Sequence, residues 1–310
     1  MNAVRLSIVT TLFRSPSEIP ELVRRLVDEA SRLVGQDFEI VCVDDGCPLG
    51  SGKIVRDLMQ TVPQLSLISH SRNFGQHEAI MSGLTHATGS KVFLLDGDLE
   101  ELPEWLPKFW QAKQTTGADV VYGYQEVRRR GGWLDSALGT LGFVMLNKLT
   151  DLNLKPNLVT ARLMSKEYVD SLLSFTERSL FVAGLWEAVG FNQVAVEVSK
   201  DRTSQSNYRF SWKLGHLLDA ITSFSSKPLV WVGYFGLLAG LVATGIVTTL
   251  VVLWWLGEPV PGWTSVLASV WLIGGMVLIS FGIVARYLAI IFLEVKARPR
   301  TVIRSYGDGD

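Results

Sequence analysis

Two kinds of hydrophobic pattern alternate along the first 125 residues. Short apolar runs rich in β-branched residues read as strands: Leu6 to Leu12, "FEIVCVDDG", "LSLISH", "KVFLLDGD" and "DVVYGY". Between them lie stretches that read as helices. The first is "SPSEIPELVRRLVDEASRLVG", with a Ser/Pro start and Gly35 at its end; the next runs through Ile54 to Met59, followed by "GQHEAIMSGLTHATG" and "PEWLPKFWQAKQTTG". Strands alternating with helices predict an α/β fold with a mostly parallel sheet covered on both faces. In such sheets ligands bind outside the carboxyl ends of the strands, and that is where Asp44-Asp45 and Asp96-Asp98 fall.

Beyond Arg128 the pattern loses its regularity as far as Lys200, a region expected to build the acceptor side of the molecule. "SWKLGHLLDAITSFSS" then places Trp212, Leu214, Leu217, Leu218, Ile221 and Phe224 on one helical face. An amphipathic helix of this kind either lies in a membrane interface or packs on the soluble domain. No charged residue occurs from Leu229 to Leu256, and Arg286 is the single charge from Trp263 to Leu293. Each stretch exceeds the roughly 20 apolar residues that cross a bilayer. The breaker-rich turn "GEPVPG" joins them into a transmembrane hairpin.

The flanks give an orientation. Lys227 precedes the first span, and Lys296, Arg298, Arg300 and Arg304 follow the second, while the connecting turn has neither Lys nor Arg. The excess of cations at the outer ends places both termini and the soluble domain in the cytoplasm, in a multi-pass protein of the cell (inner) membrane. Trp231, Trp254, Trp255 and Trp263 stand near span ends, as interfacial anchors do. The expected organisation is a soluble domain over 1–210, an amphipathic helix over 211–227, the hairpin over 228–294 with spans 229–256 and 263–293, and a cytoplasmic tail over 295–310 whose end, "SYGDGD", reads as disordered.

Composition changes this picture little. The 310 residues carry 29 Lys and Arg against 30 Asp and Glu, a net charge of −1 that does not suggest a nucleic-acid binder. Two cysteines, Cys42 and Cys47, give no metal site by themselves; Cys42 lies inside a strand and reads as core. The first strand is not followed by a Gly-rich phosphate loop, which argues against an ATPase or a dehydrogenase.

Asp96-Gly97-Asp98 is the pattern that asks for chemistry. Carboxylates are the hard oxygen ligands that Mg²⁺ or Mn²⁺ prefers, and such an ion can bridge the phosphates of a nucleotide diphosphate. A glycine between them lets the backbone turn so that both face one point. A solvated turn is the commoner explanation of Asp-x-Asp alone, but it leaves Asp44-Asp45-Gly46, at another strand end of the same sheet, unexplained.

Seven segments carry a resemblance: "SIVTTLF", "VCVDDG", "SRNFGQHEAIMSGLTHATG", "LLDGDLEELPE", "ERSLFV", "SNYRFSWKL" and "EVKARPRTVI". In this order they resemble the membrane-anchored family 2 glycosyltransferases of the polyprenyl-phosphate type, over almost the whole chain. "RNFGQHEAIMSG" is the most specific piece and is similar to the enzymes that load undecaprenyl phosphate with an amino-arabinose derivative; dolichol-phosphate mannose synthases are similar too. The resemblance implies a GT-A catalytic domain. It also implies an inverting transfer of sugar from a nucleotide diphosphate-sugar, a UDP-sugar in the first instance, to polyprenyl (undecaprenyl) phosphate.

On that resemblance Asp44 and Asp45 lie near the base, Arg72, Asn73 and Gln76 join Asp96 in holding the nucleotide, and Asp96 and Asp98 bind Mg²⁺ or Mn²⁺ and serve the chemistry. A phosphate acceptor is already anionic, so it needs positioning and charge neutralisation more than a strong base. Arg128, within the run Arg128-Arg129-Arg130, and Arg209 are the candidates for that task. His77 can contact sugar or phosphate or be a plain surface residue. Arg286 either snorkels or meets a lipid phosphate or a neighbouring subunit. Gly236, Gly240, Gly274 and Gly275 suit packing of the hairpin against copies of itself, a homo-oligomer.

The chain departs from the family's pattern in three places. "DGDLEE" stands where "DADLQD" is usual, so Glu100 and Glu101 replace Gln and Asp. Asn157 and Thr160 stand where acids are usual, although Arg162 matches. Ser206-Asn207-Tyr208 lacks a lysine. These changes keep two other readings open, a catalytically silent nucleotide- and lipid-binding membrane subunit and a polysaccharide synthase. The latter normally carries more spans and a Gln-x-x-Arg-Trp motif, and neither is found here.

Overall fold

The computed structural model describes residues 4–125, 144–150, 152, 155–178, 180–199, 221–256 and 262–307. Four strands form the parallel centre of one sheet: β1 (Leu6–Leu12), β2 (Phe38–Asp44), β3 (Leu65–His70) and β4 (Lys91–Asp96). With β5 (Val120–Tyr124), β6 (Leu158–Ser165), β7 (Gln193–Glu197) and β8 (Ile303–Tyr306) they give the order β7-β5-β6-β4-β1-β2-β3-β8.

The central strands are continuously apolar because both of their faces are covered. Leu6, Ile8, Ile40, Leu67, Phe93 and Leu95 pack under α1 (Ile19–Val34), α2 (Ser51–Met59) and α4 (Trp105–Thr116). Val9, Val41, Val43, Ile68, Val92 and Leu94 pack under α3 (Gln76–His86), α5 (Lys166–Leu173) and α6 (Val182–Ala188). Cys42 belongs to the first of these cores, and burial pushes its thiol up to about 12. Gly35 ends α1 with a positive φ of 66°, as the sequence predicts.

Two strands lie outside the expected alternation. β6 comes from the stretch that reads as irregular, and it inserts antiparallel between β4 and β5. β8 comes from the tail: Ser305 and Tyr306 of "SYGDGD" pair antiparallel with β3, so this part of the expected free tail closes one edge of the sheet. An edge strand of four residues carries too little periodicity to be seen in sequence.

The chain then forms α7 (Lys227–Trp255) and α8 (Trp263–Lys296). They contain apolar spans, Lys227–Leu253 and Ser269–Lys296, each of mean hydropathy 2.3 and long enough to cross a membrane, and neither is buried within the chain. Phe235, Leu241, Leu278 and Phe281 are all more than 60% exposed, an apolar surface far larger than a water-facing helix pair tolerates. The expected interface helix is described only at its end. There Ile221 is buried against Leu146 and Leu149, and the Phe224 ring stands 6.0 Å from Phe181, so this turn packs on the soluble domain. The foot of the hairpin is tied to the same turn, with Tyr287 donating to the Ser225 carbonyl (2.5 Å) and Arg286 Nε to Thr222 Oγ1 (3.4 Å). Arg286 therefore faces protein at this point.

Candidate active site

Strand order determines what meets at the rim. β1 is flanked by β2 and β4, so the chain reverses its direction of growth beside β1, and ligands of open α/β sheets bind in the crevice at such a point. The register sets Leu12 beside Asp44 and Thr11 beside Asp96. With strands about 4.8 Å apart, the two acidic ends stand level and about 10 Å from each other across the end of β1.

Asp44 and Asp45 hold the loops that follow them. Asp44 accepts from the Cys47 N–H (2.9 Å) and the Gly52 N–H (3.1 Å), the latter fixing the start of α2. Burial raises its carboxyl above the ordinary value against the pull of those two donors. Asp45 is almost fully buried and accepts from Phe74 N–H (2.9 Å) and Gly75 N–H (2.8 Å), with His70 Nδ1 2.9 Å from the same carboxylate. Burial pushes its carboxyl up, but His70 and the two backbone donors outweigh it and hold it below the ordinary range. His70, to which sequence reasoning gives no role, is thus the partner of Asp45.

Gly46 is required here in the strict sense. Its φ is +61°, and a Cβ would lie 2.4 Å from the Arg72 carbonyl carbon and 2.6 Å from the Asn73 nitrogen. Gly46→Ala should lower stability by about 2–4 kcal/mol, strain and backbone clash combined. A thermal melt in detergent checks this, and an unchanged midpoint would contradict it. The clash also shows how Arg72 and Asn73 come to the rim, packed backbone to backbone on the Asp45-Gly46 turn. Arg72 is exposed, its guanidinium 4.0 Å from the centre of the Phe74 ring.

The end of β4 is more tightly organised. Asp96 Oδ1 accepts from Gln76 Nε2 (2.6 Å), at the first turn of α3, and Oδ2 accepts from the Thr160 hydroxyl (2.9 Å) on β6. Beneath it the fully buried Glu101 accepts from the N–H groups of Asp96 (3.2 Å) and Thr160 (2.8 Å), clasping β4 to β6. Arg162 lies one layer deeper, with its Nε on the Thr160 carbonyl (3.1 Å) and its guanidinium 3.0 Å from the centre of the Trp186 ring. Burial lowers Arg162 to about 9, with Tyr168 and Glu101 opposing that shift, so it is a cation at neutral pH. Neither Glu101, Thr160 nor Arg162 can be assigned these roles from spacing, because the partners are remote in sequence.

Asp98 differs from Asp96 in being exposed. One oxygen, Oδ1, accepts from the Glu100 N–H (3.0 Å), which leaves the other turned to solvent without a partner among the described residues. The positive φ of this turn falls on Leu99 (57°), not on the glycine between the two acids. Gly97 serves close approach instead, since a Cβ there would lie 2.6 Å from the Thr11 carbonyl oxygen.

Among the described residues no group of three or more His, Cys, Asp and Glu is arranged as a ready metal cage. The donor set nevertheless fits a hard divalent ion. Mg²⁺ keeps several waters and is bound by one or two carboxylates together with substrate phosphates, and Asp98 offers such a carboxylate. Asp96, with both oxygens already engaged, is oriented for a supporting part. Thr160→Val should release one side of Asp96 and lower kcat about 10-fold with little change in thermal midpoint. Steady-state kinetics read beside a melt checks this, and an unchanged kcat would show that the clasp is structural only.

His77 Nδ1 lies 3.1 Å from the Leu180 carbonyl oxygen, joining α3 to the segment before α6. Arg128, with Arg129 and Arg130, and Arg209 lie outside the described residues, as do Ser206-Asn207-Tyr208 and the first part of the expected amphipathic helix. The structure thus brings Asp44, Asp45, Arg72, Asn73, Gln76, Asp96 and Asp98 to one rim.

Comparison with known proteins gives the following. The family described as Glycosyl transferase family 2 matches residues 7–173. A protein of Mycobacterium tuberculosis named among the glycosyltransferases is 40% identical over 302 residues, covering 97% of this chain and 88% of that one. The bactoprenol glucosyl transferase of Shigella phage SfX is 34% identical over 313 residues, 97% of this chain and 99% of its own. The SfII prophage-derived bactoprenol glucosyl transferase of Shigella flexneri is 33% identical over 318 residues, 99% and 100% respectively. Among solved structures, the mannosyltransferase PcManGT of Pyrobaculum calidifontis in complex with GDP-Man and Mn²⁺ is 16% identical, with a TM-score of 0.46 over 79% of this chain and 80% of that one, a likeness too low to argue from.

Proposed function

Because this chain belongs to glycosyl transferase family 2, we propose that it moves a sugar from a nucleotide diphosphate-sugar to polyprenyl phosphate at the cytoplasmic face of a membrane. The observation that carries the reading is the open carboxylate of Asp98 on the rim beside β1, level with the Asp44-Asp45 loop, in a domain tied to an apolar hairpin. The near full-length relatives named bactoprenol glucosyl transferases support the acceptor class.

In this reading the base of the donor lies against the loop that Asp44 and Asp45 shape. Arg72, Asn73 and Gln76 line the path toward the diphosphate, and Asp98, beside Asp96, would hold Mg²⁺ or Mn²⁺. When bound, the ion neutralises the charge that develops on the departing nucleotide diphosphate. The lipid phosphate oxygen attacks the anomeric carbon from the face opposite the leaving group, forming the new C–O bond as the old one breaks, so configuration inverts. That nucleophile is anionic at neutral pH and needs no strong base, which accommodates Asn157 and Thr160 in place of acids. Arg128 and Arg209 are assigned to steady the acceptor phosphate. The cations at Lys227 and at Lys296 to Arg304 support the cytoplasmic placement of the catalytic domain and both termini. Nothing lies within 4 Å of a Cβ added at Gly236, Gly240, Gly274 or Gly275, which supports packing of the hairpin against further copies of itself.

The test is a panel of nucleotide sugars, UDP-glucose first, given to purified full-length protein in detergent with undecaprenyl phosphate and Mg²⁺ or Mn²⁺. Mass spectrometry should find one lipid-phosphate-sugar, absent when the metal is chelated. Nucleotide binding without product from any donor would instead favour the silent membrane subunit to which Asn157 and Thr160 point.

A further inference from the structure

The cytoplasmic end of α8 does more than stop a membrane span. Ala297 takes a left-handed conformation (φ 48°) and turns the chain off the helix, so that Arg298 and Arg300 fold back beside it. The result is a cavity of about 400 Å³ between the end of α8, the first turn of α3 and the segment after α5. Its walls divide into three kinds of surface.

The first is a frame. Arg300 Nη1 donates to the carbonyls of Phe175 (3.2 Å) and Glu177 (3.1 Å), and its Nε stands 3.6 Å from the Glu78 carboxylate. Glu294 accepts from the Arg178 N–H (2.6 Å), fixing that segment to α8. Burial pushes the Glu78 carboxyl up, and Arg300 leads the cations that hold it back. Arg300 and Glu78 therefore offset each other.

The second surface is cationic. Arg178, Lys296 and Arg298 line the same cavity; Arg178 is among the cations that hold the Glu78 carboxyl back, while Lys296 and Arg298 form no ion pair among the described residues. The Lys296 ammonium instead sits 4.9 Å from the centre of the Phe292 ring. The third surface is apolar: Phe292 and Leu293, 59% and 50% exposed, continue from the cavity onto the lipid-facing side of the span.

Four cations, Arg178, Lys296, Arg298 and Arg300, against the single Glu78 carboxylate leave the cavity with an excess of positive charge, and that charge beside an apolar helix face matches an anionic head carried on a hydrocarbon tail. We infer that this cavity binds the phosphate group of a lipid in the cytoplasmic leaflet, with the tail running along Phe292 and Leu293. Two lipids share that chemistry, an anionic phospholipid of the bilayer and the polyprenyl phosphate acceptor itself. The inference rests on the hairpin spanning a membrane, and not on the identity of the sugar or on transfer taking place. Gln76 and Glu78, two positions apart on α3, leave the helix on opposite sides, one to Asp96 and the other to this cavity.

Native mass spectrometry of the full-length protein in detergent tests this without any turnover, using phosphatidylglycerol, phosphatidylcholine and undecaprenyl phosphate in turn. The wild-type chain should retain phosphatidylglycerol or undecaprenyl phosphate in preference to the zwitterionic phosphatidylcholine. The triple variant Arg178→Gln, Lys296→Gln, Arg298→Gln should bind the preferred lipid about 100-fold more weakly, at roughly fivefold per cation. Which lipid is lost names the source: phosphatidylglycerol alone marks a bilayer-lipid site, undecaprenyl phosphate an acceptor site. If the triple variant does not fold, the pair Lys296→Gln, Arg298→Gln, both on exposed side chains, should still weaken binding about 25-fold. Equal retention of anionic lipid by wild type and variant, or phosphatidylcholine held as well as phosphatidylglycerol, would overturn the inference.

Discussion

Asp98→Ala should abolish sugar transfer while leaving the fold and membrane insertion intact. In the structure Asp98 is exposed and, among the described residues, its carboxylate bonds only to the Glu100 N–H, so truncation removes little that stabilises the domain. What it removes is the open carboxylate on the rim and, in the proposed mechanism, the ligand of the divalent ion that would neutralise the leaving diphosphate. A loss of at least 10³-fold in kcat/KM, about 4 kcal/mol of transition-state stabilisation, is expected. The measurement is kinetics beside a melt: activity falls below detection and the thermal midpoint stays within a degree or two. Full transfer in this variant, with a divalent metal still required, would remove Asp98 from the site. Asp96 should behave differently, because its oxygens bind Gln76 and Thr160, and a variant there disturbs the rim as well as the chemistry.

Arg162→Ala should be the most damaging change outside the rim. The guanidinium is 1% exposed, lies on the Trp186 ring and donates to the Thr160 carbonyl. Removing it leaves a large void, an unpaired carbonyl and a buried Glu101 carboxylate without its nearby cation. Breaking a buried charge arrangement from one side typically costs about 3–5 kcal/mol. For a domain of this size, that predicts a thermal midpoint lower by about 6–20 °C. Since Arg162 supports Thr160 and Glu101, and these support Asp96, activity should fall with stability. Arg162→Lys keeps the charge but not the flat guanidinium, and it should recover only part of the midpoint. A melt of Arg162→Ala that matched wild type would show that the layer beneath Asp96 is not held in this way.

The parts of this molecule that sequence makes legible are those written in local pattern. β1 to β5 are apolar runs buried on both faces, and their parallel sense follows from the helices between them. Both acidic strand ends could be placed on one rim for the same reason. β6 is harder because its buried positions include Arg162 and Thr160 carries a hydrogen bond to Asp96, so "LVTARLMS" does not announce a central strand. β8 is a four-residue edge whose pairing with β3 joins segments more than 230 residues apart. The clasp around Asp96 belongs to the same class. Thr160 lies 64 residues from Asp96 and 59 from Glu101, and His70 lies 25 from Asp45; such pairs are produced by sheet order and have no signature in spacing. Gly97 is instructive in a different way: a turn was the expected reason for it, and close packing against the end of β1 is the observed one.

The central claim is a direct displacement at the anomeric carbon by a lipid phosphate, and the product itself tests it most directly. Purified full-length protein would be given an α-linked UDP-sugar, undecaprenyl phosphate and Mg²⁺ or Mn²⁺, and the lipid fraction isolated for mass spectrometry and NMR of the anomeric centre. The account predicts a β-linked polyprenyl-phosphate sugar. An α-linked product, or free sugar and UDP with no lipid product, would contradict it.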